Sequence, residues 1–197
     1  APDTYMEKIA IGPNLPKNLL DLDNPVEKNL NLLAKAKNKK LTDLTACILQ
    51  RPRHDKIVQS LNKLGVKIEF ISDGDVAGVI AVADKNSKID IYLGIGGGPE
   101  GVLSAAALSC IGGQIQTRLV LDEKEKERAL KMGVKDPTKK YNINEIIKGD
   151  VIFCATAITN GDIVDGVKDL GNKYEVSTFA LHKDLQVVKK IKNIHLK

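Results

Sequence analysis

Three short segments carry side chains that bind phosphate, hydroxyl groups or metal ions. Arg51 and Arg53 flank the proline of "RPR", Asp73 and Asp75 flank the glycine of "DGD", and Glu100 lies in "GGGPEG". A guanidinium grips phosphate with paired N–H donors, whereas a carboxylate accepts hydrogen bonds from hydroxyl groups or binds a hard divalent cation. Together these residue types suit a phosphorylated polyol and a divalent cation.

Each of the three segments follows a short apolar run that is typical of a strand. "LTACIL" runs into "QRPRHD", "VKIEFIS" into "DGD" and "IDIYLGI" into "GGGPEG", and a helical pattern comes next each time. This alternation predicts an α/β fold with a largely parallel sheet flanked by helices. Because ligands bind at the carboxyl ends of the strands in such sheets, we expect the charged side chains of the three segments to converge at one edge.

The rest of the chain extends the same pattern. "DNPVEKNLNLLAKAKN" predicts a helix capped by Asp23 or Asn24, "IQTRLVL" and "VIFCATAI" predict strands, and "STFALH" with "LQVVKKIKNI" predicts a terminal strand pair. We interpret the polar turn "TNGD", which ends at Asp162, as structural. We predict that residues 1–22 are a connector from a missing N-terminal part, and that residues 23–197 form one α/β substrate-binding domain.

Each motif also has a simpler interpretation. The pattern G-x-G-x-x-G, which cradles a dinucleotide, is formed by Gly96, Gly98 and Gly101. Glu100 would repel a pyrophosphate there unless a divalent cation lay between them, or it only favours the dipole of its own helix. The arginines of "RPR" are alternatively a surface salt-bridge pair, and Asp75 a helix cap. His54 either contacts phosphate or only begins a helix.

The amino-acid composition limits the classes of partner that this protein is expected to bind. The net charge is +5, but 30 basic residues are interspersed with 25 acidic ones and aromatic residues make up only 4%, which argues against nucleic-acid binding. No apolar run approaches the ~18 residues of a transmembrane helix. Cys47, Cys110 and Cys154 lie far apart in apolar runs, which is typical of reduced thiols in an intracellular protein. We therefore predict a cytoplasmic protein with neither nucleic-acid nor membrane partners.

Long blocks of the sequence resemble one enzyme family in order. The blocks "YMEKIAIG", "DLDNPVEKNL", "LTDLTACIL", "RPRHDKI", "SDGDVAG", "GIGGGPEGVLSAAAL", "GGQIQTRLV" and "GDVIFCATAITNGD" extend from about Tyr5 to about Gly171. They resemble the class II fructose-1,6-bisphosphatases of the bacterial GlpX type. The resemblance implies a fold like that of the inositol phosphatases and fructose-bisphosphatases. It also implies Mn²⁺- or Mg²⁺-dependent hydrolysis of the 1-phosphate of fructose 1,6-bisphosphate in gluconeogenesis, and a homo-oligomer.

The same resemblance assigns roles to residues of this chain. It makes Glu100 a metal ligand. It implies that a phosphorylated sugar contacts eight positions: Tyr5, Arg51, Pro52, Arg53, Asp73, Gly74, Asp75 and Gly97.

The sequence departs from the family pattern at several points. Gly98 replaces an alanine of the usual "GGAPEG", and Gln50 stands where an acid is common. The family has an N-terminal part that supplies most metal ligands, and no D-P-x-D-G-T-like motif occurs in these 197 residues. We therefore expect this chain alone to be a C-terminal portion with little activity. The alternatives are a non-catalytic phosphosugar-binding module and, less favoured, a dinucleotide-binding domain.

Overall fold

The computed structural model describes residues 4–161 and 163–197, so Asp162 and residues 1–3 lie outside the described part. One sheet contains β1 (Tyr5–Ile11), β2 (Thr45–Leu49), β3 (Lys67–Ile71), β4 (Ile91–Gly97), β5 (Gln114–Val120) and β6 (Lys140–Asn142), in the order β3-β2-β4-β1-β5-β6. A second sheet contains β7 (Ile152–Thr156), β8 (Lys168–Asp169), β9 (Lys173–His182) and β10 (Val187–Leu196). Its order is β10-β9-β7, with β8 also paired to β9. The helices are α1 (Val26–Lys37), α2 (Asp55–Lys63), α3 (Asp75–Ala81), α4 (Gly98–Ile111), α5 (Glu123–Lys131) and α6 (Ile143–Ile146).

Strand directions confirm the predicted α/β class. Strand β2 pairs in parallel with β3 and β4, and β1 pairs antiparallel with both β4 and β5. Strands β2, β3, β4 and β5 therefore run in one direction, whereas β1 and β6 run in the other. Four of the six strands thus share one direction, with β1 inserted against them near the centre and β6 against them at one edge.

Strand β1 is the longest element that the sequence pattern did not reveal, and β6, α6 and β8 were not predicted either. The connector predicted for residues 1–22 did not include a strand, yet Tyr5–Ile11 lies between β4 and β5. Most of its side chains are buried because the strand is covered on both faces. Glu7 and Lys8 interrupt the apolar pattern that normally marks such a central strand.

The predicted cap of α1 is wrong. The helix begins at Val26 after Pro25, and no side chain caps its first turn. Asp23 instead accepts a hydrogen bond from Arg118 at 2.6 Å. Proline at this position already lacks the N–H that a cap would satisfy.

Apolar clusters cover both faces of the first sheet. One cluster joins the sheet to α1 and α2 through Leu30, Leu33 and Leu61. On the opposite face, α3 and α4 pack through Val79 and Leu108, and a third cluster joins α4 to the second sheet. Within the residues described, no helix is both long and apolar enough to cross a bilayer.

Candidate functional site at the sheet edge

The structure brings the three predicted segments to one edge of the first sheet. Because β2, β3 and β4 are parallel, the residues that follow them, Arg51, Asp73 and Glu100, lie at the same end. Tyr5 joins them from the antiparallel β1, where it pairs with Gly97. The predicted convergence is confirmed, and the roles of the individual side chains remain predictions.

Arg51 and Asp73 are the outer pair of this edge. Nη2 of Arg51 lies 3.4 Å from Oδ1 of Asp73, and its Nη1 donates to the carbonyl of Gln50 at 2.9 Å. The Asp73 side chain is 93% exposed. An ion pair this open to water contributes little to stability. Arg51 and Asp73 can therefore separate and each bind a ligand at a small cost in free energy.

Arg53 is held more firmly than Arg51. Its Nε and Nη2 both donate to the carbonyl of Ile95, at 3.0 and 2.8 Å. The guanidinium also stacks on Tyr5, 4.9 Å from the ring centroid. Pro52 begins the short 3-10 helix Pro52–His54, which turns the chain back toward β4. The guanidinium is thus fixed beside β4 by contacts that do not engage its Nη1.

His54 lies behind this arginine and does not face a ligand. It is buried, its Nδ1 bonds to the carbonyl of Leu49 at 2.7 Å, and its Nε2 accepts the N–H of Ile95 at 2.8 Å. Burial lowers the pKa of His54, and the charge of Arg53 lowers it further. A neutral imidazole with its proton on Nδ1 satisfies both bonds. The interpretation of His54 as a phosphate contact is therefore wrong.

Asp75 forms a buried ion pair that the sequence did not suggest. Its side chain is 4% exposed, and its Oδ2 accepts a hydrogen bond from Nζ of Lys8, which is 0% exposed. Burial lowers the pKa of Lys8, whereas the hydrogen bond and charge of Asp75 act in the opposite direction. The sequence signal for Lys8 is a lysine that interrupts the apolar residues of the strand "YMEKIAI".

The interpretation of Asp75 as a helix cap is wrong. Asp75 is the first residue of α3, the capping position is taken by Gly74, and no side chain caps the helix. Gly74 has a φ of 70°, the left-handed conformation that glycine adopts most readily. This turn delivers the Asp75 carboxylate to the sheet.

Glu100 stands in the first turn of α4 and is exposed. Its carboxylate folds back over Gly97, where any side chain would collide with Oε2 of Glu100. A carboxylate therefore covers the backbone that a dinucleotide fold leaves open for pyrophosphate. Within the part of the chain that the structure describes, no three His, Cys, Asp or Glu side chains are grouped to hold a metal ion. Glu100 fits Mg²⁺ or Mn²⁺ as a single hard oxygen ligand.

Comparison with known proteins settles the family. The family described as bacterial fructose-1,6-bisphosphatase, glpX-encoded, matches residues 1–195. The chain belongs to this family. The resemblance carried by "RPRHDKI", "SDGDVAG" and "GIGGGPEG" is therefore confirmed, and membership of the glpX-encoded family argues against the dinucleotide-binding alternative.

Curated relatives carry matching names. The chain is 37% identical to "Fructose-1,6-bisphosphatase class 2" of Haemophilus influenzae, over 99% of this chain and 62% of the relative. It is 36% identical to "Fructose-1,6-bisphosphatase 1 class 2" of Escherichia coli K12, over 99% and 62%. A Synechococcus relative named "D-fructose 1,6-bisphosphatase class 2/sedoheptulose 1,7-bisphosphatase" is 35% identical over 100% and 60%. The chain thus spans about 60% of the length of these relatives.

Proposed function

We propose that this chain provides the substrate-binding edge of a phosphatase that hydrolyses the 1-phosphate of fructose 1,6-bisphosphate, giving fructose 6-phosphate and phosphate in gluconeogenesis. One observation carries the proposal. In a chain of the glpX-encoded family, Arg53, Asp75 and Glu100 come from three consecutive parallel strands to one sheet edge. That edge combines a phosphate-binding group, a hydroxyl acceptor and a metal-binding carboxylate.

The proposed roles follow from the chemistry of each side chain. Arg51 and Arg53 bind phosphate, because a guanidinium forms paired, charge-assisted hydrogen bonds to its oxygens. Asp73 and Asp75 accept hydrogen bonds from sugar hydroxyl groups. The other proposed contacts shape the edge around these four: Tyr5, Pro52, Gly74 and Gly97.

We further propose that Glu100 is one ligand of Mn²⁺ or Mg²⁺. When bound, such a cation neutralises developing negative charge and makes a coordinated water more acidic. The exposed carboxylate beside Gly97 supports this role, because the first turn of α4 faces the edge that receives the phosphate. The arginines orient the phosphate and the aspartates orient the sugar, so that the substrate is held in one position for attack.

Phosphate release from fructose 1,6-bisphosphate tests the proposal directly. We expect release by the enzyme that contains this chain when Mn²⁺ is present, and none when EDTA replaces the metal. Sedoheptulose 1,7-bisphosphate, named for the Synechococcus relative, should be tested in parallel to define the sugar range. Metal-independent release would contradict the proposed chemistry. Binding of the bisphosphate without hydrolysis would favour the non-catalytic phosphosugar-binding module instead.

The proposal extends to the state of the protein in the cell. We propose a cytoplasmic homo-oligomer. The cytoplasmic location is supported by the wide spacing of the three cysteines within apolar runs, which is typical of reduced thiols. Oligomerisation is supported by Val188, Ile194 and Leu196, which share one face of β10 and are 57%, 53% and 80% exposed.

A further inference from the structure

We propose that Lys8 is a positioning residue for the substrate, which it serves by holding the Asp75 carboxylate toward a sugar hydroxyl group. The inference rests on the proposed function, since it assigns to that sheet edge a residue that does not itself touch the ligand. Lys8 lies on β1 and Asp75 begins α3, so the ion pair joins two elements that are distant in sequence.

The burial of the pair is the first argument. Removing two charges from water is costly, and a buried ion pair commonly adds no stability over apolar side chains of similar size. The Lys8 side chain is fully buried, and Asp75 is 4% exposed. A role in orienting the carboxylate accounts for a pair whose contribution to stability is small.

The geometry of the carboxylate is the second argument. Lys8 donates to Oδ2 of Asp75. The buried Tyr92 hydroxyl lies beside the same carboxylate, and burial together with the charge of Asp75 raises the pKa of Tyr92. Asp75 makes no capping bond to α3. The bond from Lys8 to one oxygen orients the whole carboxylate, and the helix does not use the other oxygen. That oxygen is therefore suited to accept one hydroxyl hydrogen from a sugar at the strand end.

Space is reserved for the pair by glycines, which is the third argument. A side chain at Gly96 would collide with Oδ2 of Asp75 and would come within 3.1 Å of Nζ of Lys8. A side chain at Gly101 would collide with Met6 and lie 3.2 Å from Cε of Lys8. The glycine pattern "GIGGGPEG" therefore makes room for this ion pair.

A second lysine–aspartate pair in the same sheet makes the contrast clear. Asp90 precedes β4 at the opposite edge and accepts from Lys39 at 2.7 Å, Lys37 at 2.5 Å and the N–H of Thr45 at 3.0 Å. Asp90 thereby ties the start of β2 to the end of α1. Among the described residues, the Lys8 pair shows no such backbone bond. It lies at the ligand edge, so a positioning role suits it in addition to its link between β1 and α3.

Binding of fructose 1,6-bisphosphate in EDTA, measured by isothermal titration calorimetry on the full-length enzyme, tests the inference without requiring hydrolysis. We expect Lys8→Met to weaken binding about tenfold or more, to the same extent as Asp75→Asn. The double variant should bind no more weakly than either single variant, because Lys8 acts only through Asp75. Lys39→Met is the matched control and should bind as the wild type does.

The inference would be overturned if the two fold-changes in dissociation constant multiplied in the double variant. It would also be overturned if Lys8→Met bound the bisphosphate as tightly as the wild type does. Gly96→Ala keeps both charges but displaces the carboxylate, and it should show the same loss. If Lys8→Met fails to fold, Gly96→Ala takes its place as the test. Unchanged binding of the bisphosphate by Gly96→Ala would then overturn the inference. In the steady state with Mn²⁺, Lys8→Met should raise KM more than it lowers kcat.

The two proposals fail in different ways. If the wild type binds the bisphosphate but releases no phosphate with Mn²⁺, the proposed hydrolysis is wrong, and the ratio of dissociation constants still decides the role of Lys8. If the wild type binds no bisphosphate in EDTA and releases no phosphate with Mn²⁺, both proposals are overturned. If it releases phosphate with Mn²⁺ but does not bind in EDTA, KM in the presence of Mn²⁺ replaces the dissociation constant, and an unchanged KM in Lys8→Met overturns the inference.

Discussion

Arg53 combines two tasks at the scale of a single residue. Nε and Nη2 hold the carbonyl of Ile95, and the face of the guanidinium stacks on Tyr5. A side chain already ordered by such contacts loses little further entropy when it binds an anion. Arg51 is tied more loosely to Asp73, so Arg53 should contribute more to phosphate binding than Arg51.

Arg53→Ala should therefore raise KM for fructose 1,6-bisphosphate about tenfold or more, because a charge-assisted bond to phosphate is lost. The effect on kcat should be smaller, since the arginine binds ground state and transition state alike. Steady-state kinetics measure both constants. Lys63→Ala, which removes an exposed positive charge from the far end of α2, is the control. An unchanged KM in Arg53→Ala would mean that this arginine serves only the fold.

Glu100→Gln should lower phosphate release about a hundredfold or more with the fold intact, because an amide is a poor ligand for Mn²⁺ or Mg²⁺. The exposed side chain contributes little to stability, so the thermal unfolding temperature should be unchanged. Initial rates across a Mn²⁺ titration check this, with Glu127→Gln on the exposed face of α5 as the control. Full activity at saturating Mn²⁺ would remove Glu100 from the metal site.

Sequence motifs identified the outer side chains of the site but not the ones beneath them. Arg51, Arg53 and Glu100 stand in turns after apolar runs, where residue type alone indicates the chemistry. Lys8 lies inside a strand, and His54 bonds to residues on two strands. Their roles depend on which elements pack together, which is information that local spacing does not contain.

At the scale of elements, His54 joins the end of β2 to β4. Its ring bridges the carbonyl of Leu49 and the N–H of Ile95, and Ile95 is the residue whose carbonyl holds Arg53. The position of the arginine is therefore coupled to a neutral imidazole.

This coupling predicts a pH dependence of stability. Burial keeps the pKa of His54 below its usual value, so the unfolded chain binds a proton that the folded chain does not. The free energy of unfolding should therefore fall as pH drops below about 6.5, by up to about 1.4 kcal/mol per pH unit until the lowered pKa is reached. Urea unfolding at about pH 7.5 and about pH 5.5 measures it.

The matched variants separate His54 from the other histidines. His54→Gln should be less stable than the wild type at the higher pH and should lose most of the pH dependence. His195→Gln, on the exposed β10, should keep it. An equal slope in the wild type and His54→Gln would show that another group causes the effect.

Most elements were predictable because their local signals agree with their surroundings. The pattern after "IDIYLGI" predicted α4, and the alternation predicted β2, β3 and β4. The exceptions are β1, whose charged residues are neutralised by tertiary partners, the cap of α1, and the short elements β6, α6 and β8. Glu7 pairs with Arg118 at 2.8 Å, and Arg118 also binds Asp23 at 2.6 Å. Arg118 thus helps to explain why β1 was missed and why Asp23 does not cap α1.

At the scale of the whole molecule, the second sheet carries an uncovered apolar strip. Val188, Ile194 and Leu196 lie on the same side of the hairpin as the buried Phe179 and Leu181, with Lys190 and Lys192 between them on that side. Helix α4 covers the sheet near β7 and β9, but it leaves β10 exposed. A second copy of the chain would bury this strip, and the pairing of Lys192 with Asp165 at 3.0 Å reduces the positive charge beside it.

Ile194→Asp should therefore lower the oligomeric mass of the enzyme, because it places a charge in the proposed contact between copies. Size-exclusion chromatography with light scattering measures the mass directly. Leu185→Asp, at the exposed tip of the β9–β10 hairpin, should leave the mass unchanged. If Ile194→Asp has the wild-type mass, β10 is not the contact.

The central position of β1 has a consequence for the order in which the protein can be made. Tyr5 pairs with Gly97 on one side and with Val120 on the other, so this strand leaves the ribosome long before either neighbour exists. Until the chain has been synthesised through Val120, β1 lacks both of the strands that it pairs with in this sheet. Pairings this remote in sequence form slowly and leave unpaired strands open to aggregation. A nascent chain that contains this segment therefore exposes β1 to association with other chains on the polysome until β4 and β5 have been made.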